Sequence, residues 1–300
     1  MVMEMGDLNL VAMNNETIVG LKGQTMLETR SILSGSFQVQ YLEDITSLTL
    51  THNGVLVVSF QNDHVLMLSK EEDEDSWRVT KEIAKRAKLV DSNGEDVVLW
   101  TGTDIHLYSQ QWLEHITSLQ NIASIKLSQD GNHIVMATDD AQLRFFRKEN
   151  GKWVTQQSIW YKTDMAEDGR EIEEEEAGSD RDTEVAVSYD GSVVVIQTSN
   201  GHLLLYGLYR HHERKKPGSG GQMDASLVSV SNSGERVAVA TRIGTVLILE
   251  RKQDGMEVVA EITANGDIRV LNFQEEDQFQ VIVGDTMTMY ESQCAAFVSD

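Results

Sequence analysis

The side chains through which this chain could do chemistry are eight histidines, one cysteine and 48 carboxylates in 300 residues. His52, His64, His106, His115, His133, His202, His211 and His212 show no HExxH and no paired ligand spacing, so nothing in them indicates a zinc centre. Cys294 stands in ESQCAAFVSD with no histidine beside it, which suits a structural thiol and offers no base to activate a nucleophile. A lone cysteine forms no internal disulfide and fits a reducing compartment, so an intracellular location, cytoplasmic or nuclear, is the expectation. There is no GxSxG elbow, no P-loop and no GxGxxG opening a helix. Loop carboxylates could give oxygens to Ca2+, but their spacing does not match an EF-hand loop. The chain is therefore read as non-enzymatic, with no catalytic residue, metal or cofactor assigned.

Charge limits the partners. Asp and Glu outnumber Lys and Arg 48 to 25, a formal net charge of −23, and such a field repels a phosphate backbone unless a local basic patch overcomes it. One cluster qualifies: Arg210, Arg214, Lys215 and Lys216, with His211 and His212 among them. It runs into Pro217-Gly218-Ser219-Gly220-Gly221 and reads as a solvated loop. The longest apolar runs are strand-sized, well short of the roughly 20 residues that cross a bilayer. MVMEMGDLNL has neither a basic residue nor an apolar block and does not read as a secretory signal.

The frame that would position these side chains is periodic. Asn14-Asn15, Asn53-Gly54, Asn93-Gly94, Asp130-Gly131, Asp190-Gly191 and Ser233-Gly234 each follow a short apolar run, and Glu275-Glu276 takes the seventh place. Their first residues lie 39, 40, 37, 60, 43 and 42 apart, a spacing of propeller blades interrupted once. After each turn comes a near-continuous apolar strand, such as VLVVSFQ, HIVMATD or RVAVATR, which suits burial on both faces. A more alternating third strand follows, then an outer one. Trp77, Trp112 and Trp153 open three outer strands and are expected to cover seams between blades.

Residues 124–159, SIKLSQDGNHIVMATDDAQLRFFRKENGKWVTQQSI, and 227–262, LVSVSNSGERVAVATRIGTVLILERKQDGMEVVAEI, each resemble one whole repeat of the WD-repeat family. Where that family places Trp, this chain has Leu68, Tyr108, Phe146, Tyr206, Leu249 and Tyr290. Where the following Asp belongs, it has Ser69, Ser109, Arg147, Gly207, Glu250 and Glu291. The resemblance spans essentially the whole chain, and the departures imply that the family's buried Asp-His-Ser-Trp network is missing.

The expected fold is an all-β, seven-bladed propeller of four antiparallel strands per blade, WD40- or YVTN-like, forming one domain. Its blades fall near 7–42, 43–83, 84–119, 120–159, 184–223, 224–262 and 263–300. AAFVSD is expected as the last outer strand, with the N-terminal MVMEMG beside it, and blade five is expected to have a frayed or missing outer strand. An acidic, disordered insertion occupies 160–183; its stretch 164–182 holds ten acidic residues, Glu173, Glu174, Glu175 and Glu176 among them.

The resemblance implies that the turns between second and third strands share one face with the links between blades. That brings Asp63, His64, Asp104, Asp139, Asp140, His202 and Asp285 to one rim, together with the insertion. The expected function is a monomeric protein-interaction scaffold that receives a basic segment on this acidic face and binds neither nucleic acid nor membrane. The alternatives are a propeller enzyme or calcium-dependent carbohydrate-binding module using the central channel, and a docking subunit of a larger complex.

Overall fold

The second strand of each repeat is apolar at consecutive positions because its two sides face two different neighbours. In Leu56–Phe60, Val57 packs toward the following blade with Met67, Val97 and Leu99, while Val58 packs toward the preceding one with Val19, Leu27 and Leu68. The same division recurs down the chain. In His133–Thr138, Ile134 and Met136 join Val98 and Leu107, whereas Val135 and Ala137 join Val194 and Ile196. In Arg236–Thr241, Val237 and Val239 go one way and Ala238 and Ala240 the other. Each Val, Ile or Leu so buried contributes about 1.5–3 kcal/mol.

The computed structural model describes residues 2–4, 10–14, 16–22, 25–32, 37–42, 44–51, 53–61, 64–70, 77–83, 85–109, 112–160, 183–198, 203–207, 224–252, 255–264, 266–273, 278–284 and 286–291. They form seven antiparallel sheets, strands following one another in chain order from the inside outward in all but the last. Seven apolar clusters fill the seams, one for each junction of the ring. This is a seven-bladed β-propeller.

The ring closes through the N-terminus. Val2–Glu4 takes the outer place of the last blade, with Val2 opposite Thr288 and Glu4 opposite Thr286. The expectation that AAFVSD fills this place is corrected: the N-terminal strand itself pairs with Thr286–Glu291, and 295–300 lie outside the described residues. An unpaired sheet edge is open to association with another chain, and a strand from the opposite end of the sequence covers this one. Blade five shows three strands among the described residues, ending at Leu203–Gly207, and 208–223 lie outside them.

Four of the tight turns after the first strands are built by a hydroxyl two positions before the turn dipeptide. Ser128 Oγ accepts the His133 N–H at 2.9 Å, Ser188 Oγ that of Val193 at 3.0 Å, and Ser231 Oγ that of Arg236 at 3.1 Å. Thr51 does the same for Val55 at 2.9 Å. The turns also touch around the ring, Asp130 N–H donating to Tyr189 O and Tyr189 N–H to Asn232 O, each at 3.1 Å. Gly191 needs its φ of +69°, and a Cβ there would lie 2.5 Å from the ring of His133 in the preceding blade.

Of the three tryptophans expected on seams, Trp77 is buried and donates its Nε1–H to Thr29 Oγ1 of blade one at 2.7 Å. Trp153 is half-buried against the cluster between blades three and four. Trp112 covers no seam. It is 79% exposed, although like Trp77 it opens an outer strand.

Gly191→Ala and Gly54→Ala separate two costs. Both glycines sit at positive φ, but a Cβ at Gly54 would meet nothing within 4 Å. Chemical denaturation is expected to show Gly54→Ala losing about 1 kcal/mol and Gly191→Ala about 1–2 kcal/mol more.

Candidate functional site

The first strands line a central cavity of about 520 Å3 to which every blade contributes. Their inner edges have no further strand to bond, so polar side chains on them reach across to the next blade. Asn14 Nδ2 donates to Thr51 O at 3.0 Å, Thr49 Oγ1 to Val90 O at 3.4 Å, and Leu127 N–H to Asp91 Oδ2 at 2.8 Å. Further round, Phe273 N–H donates to Ser229 Oγ at 2.9 Å and Asn272 Nδ2 to Met13 O at 3.4 Å, which carries the chain of contacts across the closing seam.

Four charged residues line this wall: Asp91, Lys126, Glu184 and Arg269. Lys126 Nζ lies 3.7 Å from Asp91 Oδ1, and Glu184 follows in the next blade, accepting the Val228 N–H. Burial pushes the Asp91 and Glu184 carboxyls above their ordinary range, with Lys126 pulling both back. Asp91 in turn raises the Lys126 ammonium. The Lys126 side chain keeps 44% of its surface against 10% for Asp91, because it extends into the open channel while protein surrounds it on all sides. A lysine held protonated in this way is neither nucleophile nor base at neutral pH. The chain Asp91–Lys126–Glu184 joins blades three, four and five electrostatically.

The expected rim residues are spread over separate blades, each engaged locally. His64 Nδ1 lies 3.4 Å from Glu82 Oε1. Asp104 accepts Ser118 Oγ at 2.7 Å and Thr103 Oγ1 at 2.9 Å, and these bonds hold its carboxyl below the usual range. Asp140 accepts Thr138 Oγ1 and Gln142 Nε2 within its own turn, and the Asp139 N–H donates to Asn121 O at 2.7 Å. Topology places all four on one face, since in four-stranded blades the second turn and the link to the next blade emerge at the same end. Asp63, His202 and Asp285, the glutamates at 173–176 and the basic residues Arg210, Arg214, Lys215 and Lys216 lie outside the described residues. Among the described residues no group of three or more His, Cys, Asp or Glu is placed to hold a metal ion, and no helix is long and apolar enough to cross a membrane.

Two features escape the sequence reading. The channel charges sit 35 and 58 positions apart and meet only in the ring; their one signal is a charged residue in a strand otherwise short and apolar. The second is a basic link between blades two and three, Lys85, Arg86 and Lys88, with Lys81 just before it. Four cations in eight residues were visible as a cluster beside the one at 210–216.

The fold has close counterparts. A chain in the crystal structure of the mitotic checkpoint complex superposes with a TM-score of 0.71 at 12% identity, covering 97% of this chain and 90% of that one. The β-propeller domain of Cps50 (Swd1) from Myceliophteria thermophila gives 0.67 at 11%, covering 97% and 99%. No family model and no curated protein sequence matches. At these identities the likeness establishes the architecture alone, a β-propeller.

Two pH-dependent outcomes follow from the buried groups. Lys126→Met leaves Asp91 and Glu184 without their cation, so their carboxyls rise further. The loss in stability is expected to be about 1–2 kcal/mol near pH 7, moderated by the wet channel, and to shrink toward pH 5 as the carboxylates protonate. Burial also lowers the imidazoles of His106 and His133 below the ordinary value of 6.5. The unfolded chain therefore takes up these protons first, and stability is expected to fall as pH drops from about 6.5 through the folded-state values. His133→Gln should flatten part of that decline in melting temperature.

Proposed function

We propose that this chain is a non-catalytic protein-interaction scaffold that receives a basic segment of a partner on its turn-and-link face. The supporting observation is where the charge goes. Polar groups in the channel are committed between blades, whereas the face bearing Asp104, Asp139 and Asp140 is also where the acidic stretch 164–182 departs and returns. A rigid ring presenting side chains on connecting segments suits recognition. The fold neighbours support the same class of role, one of them being a chain in a structure of a multiprotein complex. An intracellular monomer is part of this reading.

A second reading rests on the central cavity, whose Asp91, Lys126 and Glu184 could meet a small polar ligand or form part of an enzyme's site. A third is a docking subunit within a larger assembly.

Titration with a lysine- and arginine-rich peptide tests the first reading. Binding should weaken steeply as ionic strength shortens the Debye length from about 30 Å at 0.01 M to about 8 Å at 0.15 M. Replacing Glu173, Glu174, Glu175 and Glu176 with Gln should weaken it by about tenfold, equivalent to ~1.4 kcal/mol. Equal affinity of the variant and the unaltered chain would overturn the proposal. Loss on Asp91→Asn instead would favour the channel.

A further inference from the structure

We infer that the link from blade two to blade three, with Lys85, Arg86 and Lys88 projecting from it and Lys81 beside it, is a second binding site that takes an acidic segment of a partner protein. It lies on the same turn-and-link face as the acidic reading above and is opposite to it in charge.

The link is a fixed platform. Ile83 and Ala87 are buried in the seam with Val57, Val65, Met67, Val97 and Leu99. These anchors leave Lys85, Arg86 and Lys88 on the outer side. The backbone is held as well: Lys85 N–H donates to Ile83 O at 2.8 Å, and Lys88 N–H donates to Trp100 O at 2.7 Å. Arg86 and Lys88 are exposed, and Lys81 and Lys85 are half-buried. Little backbone entropy remains to be lost when a partner docks.

Two of the cations rest on rings. Lys81 Nζ stands 5.4 Å from the Tyr108 ring centroid and Lys88 Nζ 5.5 Å from that of Trp100. Such contacts steer an ammonium without neutralising it. Among the described residues Lys81, Lys85 and Lys88 make no ion pair, whereas some cations elsewhere do: Arg30 with Glu28, Lys126 with Asp91, Arg242 with Asp224 and Lys252 with Glu250. The neighbouring carboxylates are engaged, Glu82 with His64 and Asp104 with Ser118 and Thr103. The positive field extends inward, since Lys85 helps hold the buried imidazole of His106 neutral.

The occupant follows from scale. Residues 85–88 span about 13 Å if extended, the length of a few residues of peptide. A short run of Asp and Glu matches that span. A nucleic acid would continue past the patch onto a protein carrying −23.

The test uses the full chain and a short polyglutamate peptide, followed by amide chemical shifts. Shifts are expected at residues 81–88 and 100–108, with affinity falling by about tenfold or more in Lys85→Glu/Arg86→Glu/Lys88→Glu and kept in Lys85→Arg/Lys88→Arg. Melting temperatures of both variants confirm folding. Three results would overturn the site: no shifts at this link, equal binding by the charge-reversed chain, or tighter binding of a single-stranded oligonucleotide at the same residues. None bears on the basic-peptide titration, which reads the opposite charge.

Discussion

The constraint on which this molecule depends is that every blade must be apolar on both faces at once. A sheet in a sandwich or on a surface can spend one face on solvent, but a blade in a closed ring has a neighbour on each side. The second strand, central in its sheet, carries the full demand, and Val193–Gln197 or His133–Thr138 answers it with consecutive buried residues. Each seam is thus shared property. Removing bulk at Val135 loosens blades four and five together, since Phe145, Val194 and Ile196 pack into the same space. Closure by Val2–Glu4 makes the demand circular, because the last blade takes its outer strand from residues nearly 300 positions away in sequence.

Polar chemistry is consequently driven to two places. One is the inner edge, where first strands lack a further partner and side chains such as Asp91, Ser229 and Asn272 bridge to the next blade. The other is the set of connections. Charges at the inner edge find partners: Lys126 stands between Asp91 and Glu184, and Arg269 donates to Gly284 O. Cations on the connections are less constrained: Arg86 and Lys88 are exposed and Lys85 is half-buried.

What could be read from the sequence was what is local. Turn dipeptides at near-equal spacing and second strands apolar at nearly every position lie within one repeat, and the ring follows from repeating them. What could not be read was what the ring itself creates. AAFVSD looked like the missing outer strand because it adjoins the last blade in sequence, yet the pairing that forms joins residues nearly the whole chain apart. Trp112 looked like Trp77 by position, but one finds Thr29 of the adjoining blade and the other finds solvent. Asp91, Lys126 and Glu184 sit in different repeats and at different registers, so no repeat-by-repeat comparison aligns them.

The basic link shows how a repeat fold makes a site from an irregularity. In the described links the chain crosses from the outer edge back to the channel, and apolar residues such as Leu42, Leu119 and Ala264 plug the seam beneath. Between blades two and three the plug is Ile83 and Ala87, and every position left over but one is occupied by a cation. Because the anchors belong to the core, the charged positions inherit the rigidity of the core while remaining outside it. Side chains presented this way bind with less loss of freedom than those on an unanchored loop. That difference separates a recognition surface from a merely solubilising one, and in a protein of net charge −23 it identifies the few cations whose placement the packing specifies.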